Sequence, residues 1–131
     1  MTKIDTLFAH LRSSSKKALM PFVTAGDPDL QFTAKVIKEL DRRGCTMCDV
    51  GIPYSDPIAD GPVIQASYTR ALAKKIKLAS ILEMLGGVTK QVAMPAVTMV
   101  SYAIIYRHGL EKYVDDAQAA GVAGAIVPDL L

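Results

Sequence analysis

CTMCDVGIPYSDPIADGPVIQASYTRALAK, residues Cys45 to Lys74, is the stretch on which the fold turns. Cys45 to Val50 is a short apolar run suited to a buried strand. Gly51 to Pro62 then spends three prolines and two glycines on a loop. Val63 to Lys74 follows with helical spacing of its apolar residues. A strand, a long loop and a helix in that order make one β/α unit. Loops of about twelve residues inside compact domains are usually functional rather than mere connections.

The same pattern repeats on either side. Upstream, Ile4, Leu7, Phe8 and Leu11 predict a short amphipathic helix ending near Ser13 to Ser15, and Ala18 to Thr24 predicts the first strand. Gly26-Asp27-Pro28 breaks that strand. Leu30 to Arg43 predicts a surface helix with Phe32, Val36, Ile37 and Leu40 on its apolar stripe and Gly44 as its cap. Downstream, Leu78 to Val88 predicts a helix closed by Gly86 and Gly87, and Pro95 to Val100 a third strand. Arg107-His108-Gly109 reads as a helix-entry turn, Leu110 to Ala120 as a helix, and Val122 to Val127 as a fourth strand. Strands alternating with helices imply an α/β protein with parallel strands joined by right-handed crossovers. An open doubly wound sheet and half of an eight-stranded barrel share this signature, and periodicity does not separate them.

Composition narrows the function. At 131 residues and 14.1 kDa the chain is one domain in size, 50% hydrophobic and 21% charged, well outside the composition of disordered chains. Its net charge of +2 supplies no general attraction to nucleic acid or to an anionic membrane. Gln91 to Tyr106 carries no charge, yet it falls short of the ~20 apolar residues a spanning helix needs and contains Pro95, Thr98 and Ser101. Two cysteines, and charges in Met1 to Arg12 where a signal peptide requires an apolar run, point to a reducing cytoplasm.

Chemistry concentrates in the loop. Asp49, Asp56 and Asp60 fall at the C-terminal end of a parallel strand, the edge at which ligands bind in both candidate architectures. Asp49 belongs to the strand and Asp60 closes the loop, so the pair faces one substrate from two sides, one for proton transfer and one for hydrogen-bond acceptance. The alternative is that these aspartates only form turns. No metal site is expected. Cys45 and Cys48 have half-site spacing but lead into a strand and lack a second pair, and His10 and His108 have no carboxylates at metal spacing. Lys74-Lys75-Ile76-Lys77 reads as a solvated helix end, and the methionines as core.

Gly51-Ile52-Pro53-Tyr54-Ser55-Asp56-Pro57-Ile58-Ala59-Asp60-Gly61-Pro62 resembles the signature loop of the tryptophan synthase alpha chain family. Pro21 to Pro28 resembles that family's first strand and turn. Ser101-Tyr102-Ala103 and Gly124 to Leu130 resemble its third and fourth strands. The resemblance implies residues 1–131 as a single incomplete domain, the N-terminal half of a TIM-type (β/α)8 barrel with about four parallel strands. It implies a lyase of tryptophan biosynthesis that splits indole-3-glycerol phosphate by retro-aldol cleavage into indole and glyceraldehyde 3-phosphate. By position Asp49 and Asp60 become catalytic, and Phe22, Val100 and Tyr102 line an indole pocket. Pro53, Asp56 and Pro57 contact a beta chain in an assembly of two alpha and two beta chains. No cofactor belongs to this chain, since pyridoxal phosphate sits in the beta chain.

Two departures accompany the resemblance. The family carries Glu where Asp49 stands, a retraction of roughly 1 Å that costs about a hundredfold in rate, and Asn where Ile104 stands. Such barrels run to about 250 residues and take their phosphate site from the loops after strands 7 and 8. The isolated 131 residues are therefore expected to be inactive. A non-catalytic half-barrel that self-associates or docks on a beta chain is the second reading. A sugar-phosphate isomerase of the same fold is the third, and the Pro-Tyr-Ser-Asp-Pro loop argues against it.

Overall fold

The computed structural model describes residues 1–131. Four strands form one sheet in chain order, β1 (Phe22–Thr24), β2 (Cys48–Gly51), β3 (Ala96–Met99) and β4 (Gly124–Ile126), each parallel to its neighbour. That order excludes the doubly wound sheet, in which the strand sequence reverses at a switch point. Six helices join them: α1 (Lys3–Ser13), α2 (Leu30–Arg42), α3 (Pro62–Ala73), α4 (Leu78–Val88), α5 (Tyr102–His108) and α6 (Leu110–Ala119). No helix is long and apolar enough to cross a membrane.

The strands are shorter than their apolar runs predict, because hydrogen bonding sets their limits. Leu19 O accepts from both Thr46 and Met47 N–H, which is not ladder spacing, so Ala18 to Met20 and Cys45 to Met47 only approach the sheet. Alternation then sorts the strand residues onto two faces. Cys48, Val50 and Thr98 face the helices, where Ile37, Ile81, Leu85, Val88 and Tyr113 complete the core. Thr98 Oγ1 shares a 2.9 Å hydrogen bond with Tyr113 OH of α6. Phe22, Asp49, Val97 and Gly124 are register partners and share the opposite, inner face. At its N-terminal end α1 closes this inner face: Ile4 Cδ1 lies 3.0 Å from where a β-carbon on Gly124 would stand. Thr2 and Asp5 fix that helix with a reciprocal capping box.

Four local expectations are corrected. The buried face of α2 carries Thr33 and Ile37, while Phe32 is 50% exposed. Ser101-Tyr102-Ala103 is not strand but the start of α5, with Ser101 as its N-cap. Arg107 and His108 end that helix, and Gly109, at φ 99°, caps the next. His108 does have a carboxylate partner, since its Nε2 lies 2.7 Å from Asp116 Oδ2, which also accepts from Lys112 Nζ. No group of three or more metal-ligating side chains forms there or elsewhere.

Candidate active site

The inner face opens at the C-terminal ends of the strands, and the β2–α3 loop folds over it. Gln65 of α3 anchors the loop by donating from Nε2 to the Asp60 carbonyl at 2.6 Å. Pro62 starts the helix, a position where its missing N–H costs nothing. Two contacts then clamp α3 onto β1 and its turn. Thr24 Oγ1 and Ser67 Oγ are 2.6 Å apart, and Arg70 grips Asp27 with two parallel bonds of 3.0 and 2.8 Å. With α3 held on both sides, Tyr68 points inward and is 3% exposed.

Asp49 sits in the middle of this face. Its residue is only 6% exposed, and Oδ1 has no hydrogen-bond partner. Burial without compensating donors disfavours the ionised form and pushes its pKa up to about 6. Phe22, its register partner on β1, reaches across to Gly51. Phe22 Cζ and Tyr68 OH lie 2.4 and 2.8 Å from the point where a Gly51 β-carbon would stand, so any side chain there would displace both. Burial raises the Asp60 carboxyl as well. The Tyr68 phenol is raised by burial first, then by the charges of Asp60 and Asp49, which places it between the two carboxylates electrostatically. A carboxyl that titrates near neutrality exchanges protons in both directions, the property general acid–base catalysis requires.

A cleft lies beside these groups, lined by Ile52, Asp60, Tyr68, Met99, Val100 and Asp129 among others. Asp129, in the segment after β4, accepts from Ser101 Oγ and from the Tyr102 N–H, both at 2.7 Å, and these bonds hold its carboxyl below the usual carboxylate range. Of the residues expected from sequence, Phe22 and Asp49 therefore share the inner face, and Asp60 and Val100 line the cleft. Tyr102 stands apart, its ring centroid 6.2 Å from that of Tyr106 on α5. In the loop, Pro53 is buried, Pro57 half-buried and Asp56 exposed. Tyr68 belongs to no motif, and Asp129 lies within the fourth-strand motif without a role assigned to it; only the folded chain brings both to the cleft.

Parallel β/α units in chain order, with acidic groups gathered at the C-terminal strand ends, define an incomplete β/α-barrel with a site of enzymatic character. The sequence profile of the tryptophan synthase alpha chain matches residues 8–131. The tryptophan synthase alpha chain of Rhodopirellula baltica is 56% identical over 134 residues, covering 100% of this chain and 48% of that one. That of Clostridium kluyveri is 44% identical over 130 residues, covering 99% and 49%. The solved tryptophan synthase subunit alpha of Legionella pneumophila superposes with a TM-score of 0.95 at 36% identity, covering 99% of this chain and 50% of that one. A chain of the ligand-free tryptophan synthase from M. tuberculosis does so with a TM-score of 0.93 at 29% identity, covering 100% and 53%. This chain belongs to the tryptophan synthase alpha chain family. It spans about half the length of the curated relatives it matches.

Proposed function

We propose that these 131 residues form a single incomplete barrel domain carrying the N-terminal half of a lyase site that cleaves indole-3-glycerol phosphate. The observation that carries this is Asp49: a buried carboxyl on the inner face, one oxygen unpartnered, with a pKa of about 6. Such a group delivers a proton to the indole carbon that bears the glycerol chain. Left as a carboxylate, it accepts the proton of the adjoining glycerol hydroxyl. The carbon–carbon bond then breaks, its electrons return to the ring, and indole and glyceraldehyde 3-phosphate separate with Asp49 protonated as at the start. Asp60 accepts a hydrogen bond from the ring N–H and so stabilises the positive charge that develops on the ring. Phe22 and Val100 hold the ring by burial.

The chemistry calls for no cofactor within this chain. The partner is a tryptophan synthase beta chain holding pyridoxal phosphate, contacted through Pro53, Asp56 and Pro57 in a complex of two alpha and two beta chains, in the cytoplasm. The match to tryptophan synthase from M. tuberculosis supports that partner class. Because the chain contains no Trp, indole fluorescence reports the ligand alone. If Asp60 accepts from the ring nitrogen, the wild type binds indole more tightly than 1-methylindole, and Asp60→Asn shifts that preference. Equal affinities for both compounds in both proteins overturn the assignment of Asp60.

A further inference from the structure

We propose that Tyr68 is a further substrate-contacting residue of this site, its phenol hydroxyl donating a hydrogen bond to the same substrate hydroxyl from which Asp49 takes a proton. The proposal rests on the reading of the site given above and adds a second group to it.

Its geometric basis is the spacing along β2. Asp49 and Gly51 are two residues apart and share the inner face, about 6.6 Å from one another at the usual strand rise. The Asp49 carboxyl projects from the first position. The Tyr68 hydroxyl occupies the second, 2.8 Å from where the absent Gly51 side chain would begin. The two groups thus flank one short stretch of the inner face, where a single substrate hydroxyl placed between them can donate to the carboxylate and accept from the phenol. Phe22 Cζ is 2.4 Å from that same Gly51 position, so an indole held by Phe22 carries its glycerol arm beside the pair.

The polar inventory points the same way. Asp49 Oδ1 is buried with no partner, and Tyr68 lines the cleft. Desolvation, then the charges of Asp60 and Asp49, with no side-chain hydrogen bond, account for the raised pKa of Tyr68. The other deeply buried phenol, Tyr113, is by contrast bonded to Thr98 Oγ1 at 2.9 Å. Buried Tyr hydroxyls ordinarily find a partner. A phenol whose pKa is raised keeps its proton and so remains able to donate, matching Asp49 as the acceptor. As the substrate hydroxyl loses its proton, a donor fixed on that oxygen strengthens, which is how preorganised donors favour a transition state.

The test titrates the whole chain with two probes, indole and indole-3-glycerol phosphate, followed by indole fluorescence. Tyr68→Phe is expected to weaken indole-3-glycerol phosphate about tenfold, the size of one neutral hydrogen bond, and to leave indole within about twofold. Unchanged affinity for both probes overturns the proposal. Equal weakening of both assigns Tyr68 to packing alone and also overturns it. If the wild type binds neither probe, the underlying reading of the site falls first and this one with it. Circular dichroism of Tyr68→Phe verifies that the variant is folded, so each outcome is attributable to the hydroxyl.

Discussion

Phe22 lies across Gly51, with Cζ 2.4 Å and Cε2 2.7 Å from the point where a β-carbon on that glycine would stand. β2 is thus built to pass close beneath an aromatic ring, and Tyr68 uses the same gap. Gly51→Ala is expected to push both rings outward and to destabilise the chain by about 1–3 kcal/mol, the range for overpacking a filled interior. Urea denaturation measures it. A loss below about 0.5 kcal/mol would show that the rings move without cost.

Asp49 gives stability a pH dependence of definite sign. Its carboxyl is raised in the folded chain from 3.8 to about 6, so folding favours the protonated form. The associated stability is complete below about pH 4 and is lost as pH rises through about 6, amounting to about 3 kcal/mol at most. Asp49→Asn is therefore expected to be more stable than the wild type at pH 8 and equal to it near pH 4. Thermal unfolding of both proteins across that range checks the crossover, and the carbon-13 resonance of the Asp49 carboxyl reads the pKa directly.

The two thiols differ in reactivity. Cys48 is fully buried on the helix-facing side of β2, and burial pushes its thiol up to about 12, whereas Cys45 is half-buried and precedes the strand; both are free. A disulfide reagent at pH 8 is expected to label one thiol per native chain rapidly, and the second only in denaturant. Simultaneous labelling of both would contradict the packing of β2.

Prepared as 131 residues alone, the protein is expected to self-associate. β1 and β4 are the sheet's two edges, and neither carries a charge to blunt it. Ile126 at one edge is 38% exposed, and Val114 on the neighbouring α6 is 54% exposed. Sedimentation at micromolar concentration is expected to show dimers or larger species, reduced by Ile126→Lys. A sharp 14.1 kDa boundary would refute this.

Much of this architecture was legible because hydrophobic period and turn residues are local. The alternation of strands and helices, the long loop after Val50, and the place of Asp49 on the strand and Asp60 in the loop all follow from short windows of sequence. Choosing a half-barrel over an open sheet needed either the family resemblance or the observed strand order. α5 was hidden because only seven residues separate Ser101 from Gly109, too few to display a period. Tyr68 was hidden for another reason. On α3 it reads as one apolar residue among several, and its role arises from the Thr24–Ser67 and Asp27–Arg70 contacts, each bridging 43 positions. Asp129 meets Ser101 across 28 positions and is equally invisible locally.

Indole release tests most directly whether this chain carries the N-terminal half of a lyase site. Residues 1–131 joined to the C-terminal half of the Rhodopirellula baltica relative are to be assayed with indole-3-glycerol phosphate, beside the 131 residues alone. Release is expected from the joined protein and none from the isolated chain. Asp49→Asn or Asp60→Asn in the joined protein is expected to lower release roughly 10²–10⁴-fold, the scale of acid–base catalysis, and Asp49→Glu to raise it by up to about a hundredfold. Release by the joined protein that survives both asparagine substitutions unchanged would contradict the proposed site.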